Sequence, residues 1–402
     1  MPRRPRPAQR HAAARDRVVS LSSGVDNLIA GHPWVFRDDA VRRLGTLPIG
    51  AEVDVHDARR GRFVARGLFE PEGPVAIRIF TRSQEQHFDE PYLIACLERA
   101  AALRQSWLDA GDTNAYRLVN AEADGLPGLV IERFGAFWVV QPYSDLWSTI
   151  PEPLIDWLEP RAERGVLLRS RQRGQSPKLA VLRGEGPPDD ARIVEHGLEY
   201  VAFTQGGVKP GLYLDHRDTR QRLAPWLSGK RFVNAFSYTG GFTVAAARQD
   251  CESFNIDQSG WCHDVARENL RQNEARGKHH FITEDVFEAL ERWTEGEVDA
   301  VLLDPPAFST SRRGVQSNKK DLARLVTLGS RHLVPGGLLM VASNEGRLAW
   351  NEFLSQVGRG AHRAERSLRV LGKWGSSVDF PSLPAFPEGD RLKILVATAD
   401  RL

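Results

Sequence analysis

The chain has 402 residues, too many for one ordinary hydrophobic core, so two or three domains are expected. Its 41% apolar and 26% charged content is that of globular protein, and no apolar run approaches the roughly 18–20 residues that span a bilayer. Three cysteines, Cys96, Cys251 and Cys262, without a CxxC pair argue against a disulfide framework or a structural zinc site and for a reducing, cytoplasmic setting.

A net charge of +2 conceals an uneven distribution: residues 1–17 carry six arginines and one acid. This basic arm reads as a phosphate-contacting segment, a disordered tail or an Arg/Ala-rich targeting peptide. Residues 18–83 then hold short strand-like runs between turns (VVSL, HPWVF, AEVDVHD, GRFVARGLF, VAIRIF), the pattern of a small β-barrel. Residues 84–190 read as a central α+β domain. It opens on a helix over 92–108, with Leu93, Ile94, Leu97, Ala101, Leu103 and Leu108 on one apolar side. Hairpin strands follow over 116–143, turning at Asp124-Gly125, Pro127-Gly128 and Phe134-Gly135. GEGPPDDAR at 184–192 reads as a linker or exposed loop.

From about 195 the pattern becomes strand–helix alternation, and 191–402 is expected to form an α/β domain with a parallel sheet. Ligands of such sheets sit at the carboxyl ends of the strands, near a topological switch point. The first strand, RFVNAFS, runs into SYTGGF, where Gly240-Gly241 suits a tight strand-to-helix turn. Neither GxGxxG nor a Walker sequence occurs, which weighs against dinucleotides and nucleoside triphosphates. The next three strands end on Asp257, Asp285 and Asp304. Asp257 is placed to accept from both ribose hydroxyls and Asp285 to meet an adenine amino group, although any one acid can instead cap a helix. Together they fit a nucleoside cofactor without phosphate, S-adenosylmethionine. In DPPAF the prolines hold the chain extended after Asp304, and Phe308 offers a ring for a flipped base. The alternative is that Pro305 and Pro306 only end a strand and Phe308 packs inside. The histidines are scattered, and no metal site is expected.

These motifs resemble the ribosomal RNA large subunit methyltransferase I family over nearly all of 18–402: HPWVF with RGLF, then YRLVNAEADGLPGLVIERFG, GLYLDHRDTR, NAFSYTGGF, DPPAF and FPEGDRLK in one order. The resemblance implies an N-terminal PUA-like RNA-binding domain, a central domain and a Rossmann-like class I methyltransferase. It also implies cofactor contacts at Asp215, Arg217, Asn234, Phe236, Ser237, Tyr238, Gly240, Asp257, Ser259, Asp285, Val286 and Asp304. Large-subunit rRNA is the implied partner and cytosine carbon 5 the implied acceptor. No membrane partner is expected, and a homodimer is an open option.

Carbon 5 of cytosine is a poor nucleophile, and enzymes methylating it first add a cysteine thiolate to carbon 6. Where the family has that cysteine, this chain has VASNEG, with Asn344 in its place. DPPAFSTSRR and VASNEG are instead similar to a module that methylates guanine N7 in the same rRNA, a likeness covering about 210–346. Asp304, Pro305, Pro306, Phe308 and Asn344 are then the candidate catalytic residues. Arg312, Arg313, Lys319 and Lys320 are candidate RNA contacts, or a solvated loop. The alternatives are cytosine-C5 transfer through another nucleophile, and an RNA-binding scaffold with a decayed site.

Overall fold

The computed structural model describes residues 17–37, 47–108, 112–170, 178–204, 209–248, 250–306 and 315–402. Nearly all of the basic arm, and Phe308, Arg312 and Arg313, lie outside the described residues, as do the side chains of Lys319 and Lys320.

The N-terminal unit contains β1 (Val18–Leu21), α1 (Val25–Ala30), β2 (Trp34–Phe36), β3 (Glu52–Asp57), β4 (Arg62–Phe69) and β5 (Val75–Thr81), in the sheet order β1-β3-β4-β5-β2. Burial alternates along β3, so Val53 and Val55 enter one core with Val19, Leu21, Ile77 and Ile79. Among the described residues this sheet runs from β1 at one edge to β2 at the other.

The central unit packs α2 (Glu90–Trp107) and α3 (Glu152–Leu158) on one face of a second sheet. Its strands are β6 (Ala115–Asn120), β7 (Leu129–Phe134), β8 (Phe137–Pro142), β9 (Gly165–Ser170) and β10 (Lys178–Gly184), ordered β10-β9-β8-β7-β6. Asp89 starts α2 by accepting from the Tyr92 amide at 3.0 Å. The buried stripe runs Leu93, Cys96, Leu97, Ala100, Arg104, while Leu103 is exposed, contrary to the hydrophobic pattern. Arg104 can close the C-terminal end of that stripe because Asp124 grips it at 2.6 and 2.8 Å. The other face of the sheet turns Ala115, Phe134, Phe137, Val139 and Leu167 into a core shared with the C-terminal unit.

Two short hairpins, β11 (Arg192–Glu195) with β12 (Leu198–Val201) and β13 (Phe203–Thr204) with β14 (Lys209–Pro210), lead into α4 (Arg217–Leu227). The large sheet then uses β15 (Arg231–Ala235), β16 (Glu252–Ile256), β17 (Lys278–Ile282), β18 (Val298–Leu303), β19 (Leu333–Ser343), β20 (Arg366–Trp374) and β21 (Lys393–Arg401). Their order is β17-β16-β15-β18-β19-β21-β20, parallel except for β21, which is antiparallel to both neighbours. The intervening helices are α5 (Gly241–Ala246), α6 (Gly260–Gln272), α7 (Val286–Glu291), α8 (Val315–Arg331) and α9 (Trp350–Arg363). The strand order reverses between β15 and β18, so the segments leaving these strands flank the crevice where ligands of such sheets bind. Among the described residues no helix is long and apolar enough to cross a membrane.

Candidate active site

The turn after β15 carries unusual backbone. Phe236, Tyr238 and Gly240 have φ of 60°, 48° and 76°, three left-handed residues within five, and only one is glycine. Such conformations cost of order 1–3 kcal/mol each for side-chain-bearing residues and need surrounding contacts to hold them. Here the Ser237 amide donates to Ile256 O at 3.1 Å and the Tyr238 amide to Asp257 Oδ2 at 3.0 Å. Tyr238 Oη donates to Pro210 O at 2.7 Å, and Thr239 Oγ1 to Gly211 O at 2.6 Å. Gly240 also serves packing: a Cβ there would lie 2.9 Å from Ala266 Cβ on α6. Its need for glycine is met by the helix contact as well as by its φ, without any ligand.

This turn forms one wall of a cavity of about 510 Å³, within the usual range for small-molecule sites. Of the residues singled out in the sequence, Asp215, Phe236, Tyr238, Asp257, Val286, Asp304, Pro305, Pro306 and Asn344 line it. Asp257 accepts from the Tyr238 and Ser259 amides, at 3.0 and 2.9 Å, leaving lone pairs on both oxygens for the cavity.

Others in the expected set have internal work. Asp285 caps α7, its Oδ1 accepting from the Phe287 and Glu288 amides at 2.9 and 3.3 Å. Its Oδ2 accepts from Gln258 Nε2 at 2.7 Å, and it is Gln258 and Val286, not Asp285, that reach the cavity. Ser259 caps α6 through the Cys262 amide at 3.3 Å. Asn234 is buried and donates to Thr243 Oγ1 at 3.1 Å, and Ser237 lies buried with its Oγ 3.5 Å from His263 Nε2. Arg217 is 1% exposed and locked to Asp379 at 2.7 Å; it ties the segment 211–220 to the loop after β20 instead of facing the cavity.

Tyr213, His216 and Gln258 line the cavity and were not singled out from the sequence. The signal was present, since Tyr213 and His216 flank Asp215 in GLYLDHRDTR. Tyr213 is half exposed at the cavity, its ring 5.1 Å from that of Tyr238. His216 is buried, with Nε2 3.3 Å from Asp304 Oδ2. Burial disfavours its charge, but attraction and hydrogen bonding to Asp304, with Asp215 nearby, outweigh this and raise its pKa. Asp215 Oδ1 and His216 Nδ1 are buried without a hydrogen-bond partner among the described residues.

Three carboxylates, Asp215, Asp257 and Asp304, line the cavity, and among the described residues no lysine or arginine does. That lining suits a cationic or neutral nucleoside and opposes a phosphate. All three thiols of the chain are buried and none lines the cavity. Burial pushes the Cys251 thiol up to about 11 and also raises those of Cys96 and Cys262.

Residues 156–392 match the family model for S-adenosylmethionine-dependent methyltransferases, and residues 21–82 that for a PUA-like domain. The ribosomal RNA large subunit methyltransferase I of Erwinia tasmaniensis is 33% identical over 388 residues, spanning 94% of this chain and 98% of the relative. The chain belongs to this family. The same enzyme from Photobacterium profundum is 33% identical over 373 residues, 90% and 94% of the two chains. A solved methyltransferase complexed with SAH has the same fold, with a TM-score of 0.83 at 21% identity, covering 95% of this chain and 99% of its own. A SAM-dependent methyltransferase from Streptococcus mutans aligns at 0.82 with the same identity and coverage. Membership makes S-adenosylmethionine the cofactor, and the carboxylate-lined cavity fits it.

Proposed function

We propose that this protein methylates a base of large-subunit rRNA in the cytoplasm by direct transfer, with guanine N7 as the acceptor. The observation that carries the reading is the cavity's lining: Asp304, Pro305, Pro306 and Asn344 gather at the ends of β18 and β19, and no thiol joins them. A cytosine-C5 mechanism needs a thiolate in contact with the base, whereas every cysteine here is buried and held toward its neutral form. Guanine N7 has an in-plane lone pair and needs only positioning.

When bound, S-adenosylmethionine supplies an electrophilic methyl group on its sulfonium. Asp257 accepts from the ribose hydroxyls with the lone pairs its backbone donors leave free. Val286 and Phe236 give apolar contact for the adenine, and Asp215 offers its unpartnered Oδ1 to the cationic end. Asp304, held by His216, and Asn344 orient the acceptor base by hydrogen bonds, while Pro305 and Pro306 keep that segment extended. Tyr213 offers a ring at the rim. Phe308, Arg312, Arg313, Lys319 and Lys320 keep the base-stacking and phosphate roles expected from the sequence.

RNA transcribed with 5-fluorocytosine tests the reading. Thiol chemistry would trap a covalent protein–RNA adduct on denaturing gels; direct transfer leaves none. A trapped adduct would overturn the N7 assignment. A decayed scaffold need not bind S-adenosylmethionine at all, whereas an intact site binds it and loses it in Asp257→Ala.

A further inference from the structure

We propose that the face of the central sheet turned toward the cavity carries an RNA grip. Arg169 would take a phosphate, and Tyr143 a base, next to the nucleotide being methylated. The proposal rests on the RNA reading above.

Strand alternation fixes which way these residues point. Val139 pairs with Leu167 across β8 and β9, and both lie in the core shared with the methyltransferase helices. Gln141 and Tyr143 follow Val139 at steps of two, and Arg169 follows Leu167 likewise. Gln141 and Arg169 therefore project from the same side, past the edge of that core, and Tyr143, just beyond the end of β8, joins them through its hydrogen bond with Gln141.

Arg169 is only 5% exposed, yet its Nε and Nη2 are buried without an acceptor among the described residues. Its Nη1 reaches Gln141 Oε1 at 3.5 Å, the outer limit of a hydrogen bond, and Glu132 at 3.8 Å. Glu132 is already held by Arg117 at 2.7 Å, so two guanidinium groups share one carboxylate. A buried cation this poorly paired is costly, and a fold that only needed to fill space would place an apolar side chain there. The core that Val139 and Leu167 enter also holds Leu212 and Leu214, which flank Tyr213 of the cavity, and this sets Arg169 on the side of the sheet that faces the site. Tyr143, 60% exposed, accepts from Gln141 Nε2 at 2.7 Å and so shares a hydrogen-bonded row with the guanidinium. An exposed ring beside an under-paired guanidinium matches a single-stranded nucleic acid: the base stacks, and the planar fork takes a phosphate. The weak contact to Gln141 leaves the head of Arg169 able to turn toward that anion.

The test is fluorescence anisotropy of a fluorescein-labelled single-stranded RNA titrated with the full chain in saturating SAH, at several salt concentrations. Arg169→Met should weaken binding about tenfold and lower the slope of log K against log salt by about 0.7, the value of one phosphate contact on a single strand. Arg169→Lys should recover part of the affinity. Tyr143→Ala should weaken binding about tenfold, the value of one stacked base, and leave the salt slope alone. SAH affinity by calorimetry should be unchanged in all three. Arg169→Met should melt no lower than wild type, because a poorly paired buried charge has been removed.

Unchanged RNA affinity in both Arg169→Met and Tyr143→Ala, with wild type binding, would overturn the proposal. So would a lowered melting temperature in Arg169→Met with RNA affinity retained, which marks a structural cation. Arg169→Met that does not fold would likewise mark a structural cation and overturn the phosphate role, leaving Tyr143→Ala to test the stacked base. Wild type that binds SAH but no RNA would sink the RNA reading itself.

Discussion

Asp257 and Asp285 occupy equivalent places after β16 and β17, yet the structure gives them different work, and substitution separates them. Asp257→Ala removes an acceptor from the Tyr238 amide at 3.0 Å and the Ser259 amide at 2.9 Å. Hydrogen bonds to charged groups are worth about 1.5–3 kcal/mol, and water can replace part of them at this half-buried site, so about 2–3 kcal/mol of stability should be lost. The same substitution removes the acceptor for two ribose hydroxyls. About 3 kcal/mol or more there corresponds to on the order of a hundredfold loss of affinity. Asp257→Asn keeps one acceptor oxygen and should lose about tenfold. Asp285→Ala removes the α7 cap, about 1 kcal/mol of stability, and should leave affinity within about threefold of wild type. Calorimetric titration of SAH into each folded variant, with circular dichroism to verify folding, reads all of these. Near-wild-type affinity in Asp257→Ala, or a larger loss in Asp285→Ala, would refute the division of labour.

His216 should titrate above its ordinary value in the folded chain, because Asp304 and Asp215 outweigh its burial. A raised pKa means that its contribution to stability is complete below the unfolded value of about 6.5 and disappears as pH rises through the folded value. NMR of the His216 ring should show the pKa falling in Asp304→Asn, where burial is less opposed; an unmoved titration would contradict the pairing. Arg217→Ala breaks a fully buried pair with Asp379 and should cost about 3–5 kcal/mol by chemical denaturation, far more than an exposed ion pair. Replacing all three cysteines by serine should leave methyl transfer per folded molecule unchanged; its loss would restore a thiol mechanism.

Much of the catalytic unit could be read from the chain because its signals are local. Apolar runs ending on Asp257, Asp285 and Asp304, separated by helical periods, give the strand–helix alternation directly. Whether a carboxylate at a strand end faces a ligand or a helix terminus depends on where the next amides fall, and the sequence leaves Asp257 and Asp285 alike. A single residue separates Asp215 from Arg217, but the chain turns from a short 3-10 segment into α4 between them, so one lines the cavity and the other is buried. Buried cations are harder still. Arg104 in α2 is buried because its partner, Asp124, comes from a turn beyond the helix, and no local pattern pairs the two. The insertion of β21 between β19 and β20 is likewise a non-local pairing that no short motif announces.

Mass spectrometry of nucleosides from large-subunit rRNA, comparing a strain lacking this protein with one in which it is restored, addresses the acceptor directly. The expected result is loss of 7-methylguanosine, its return on complementation, and 5-methylcytidine unchanged. Loss of 5-methylcytidine with 7-methylguanosine intact would contradict direct transfer to N7.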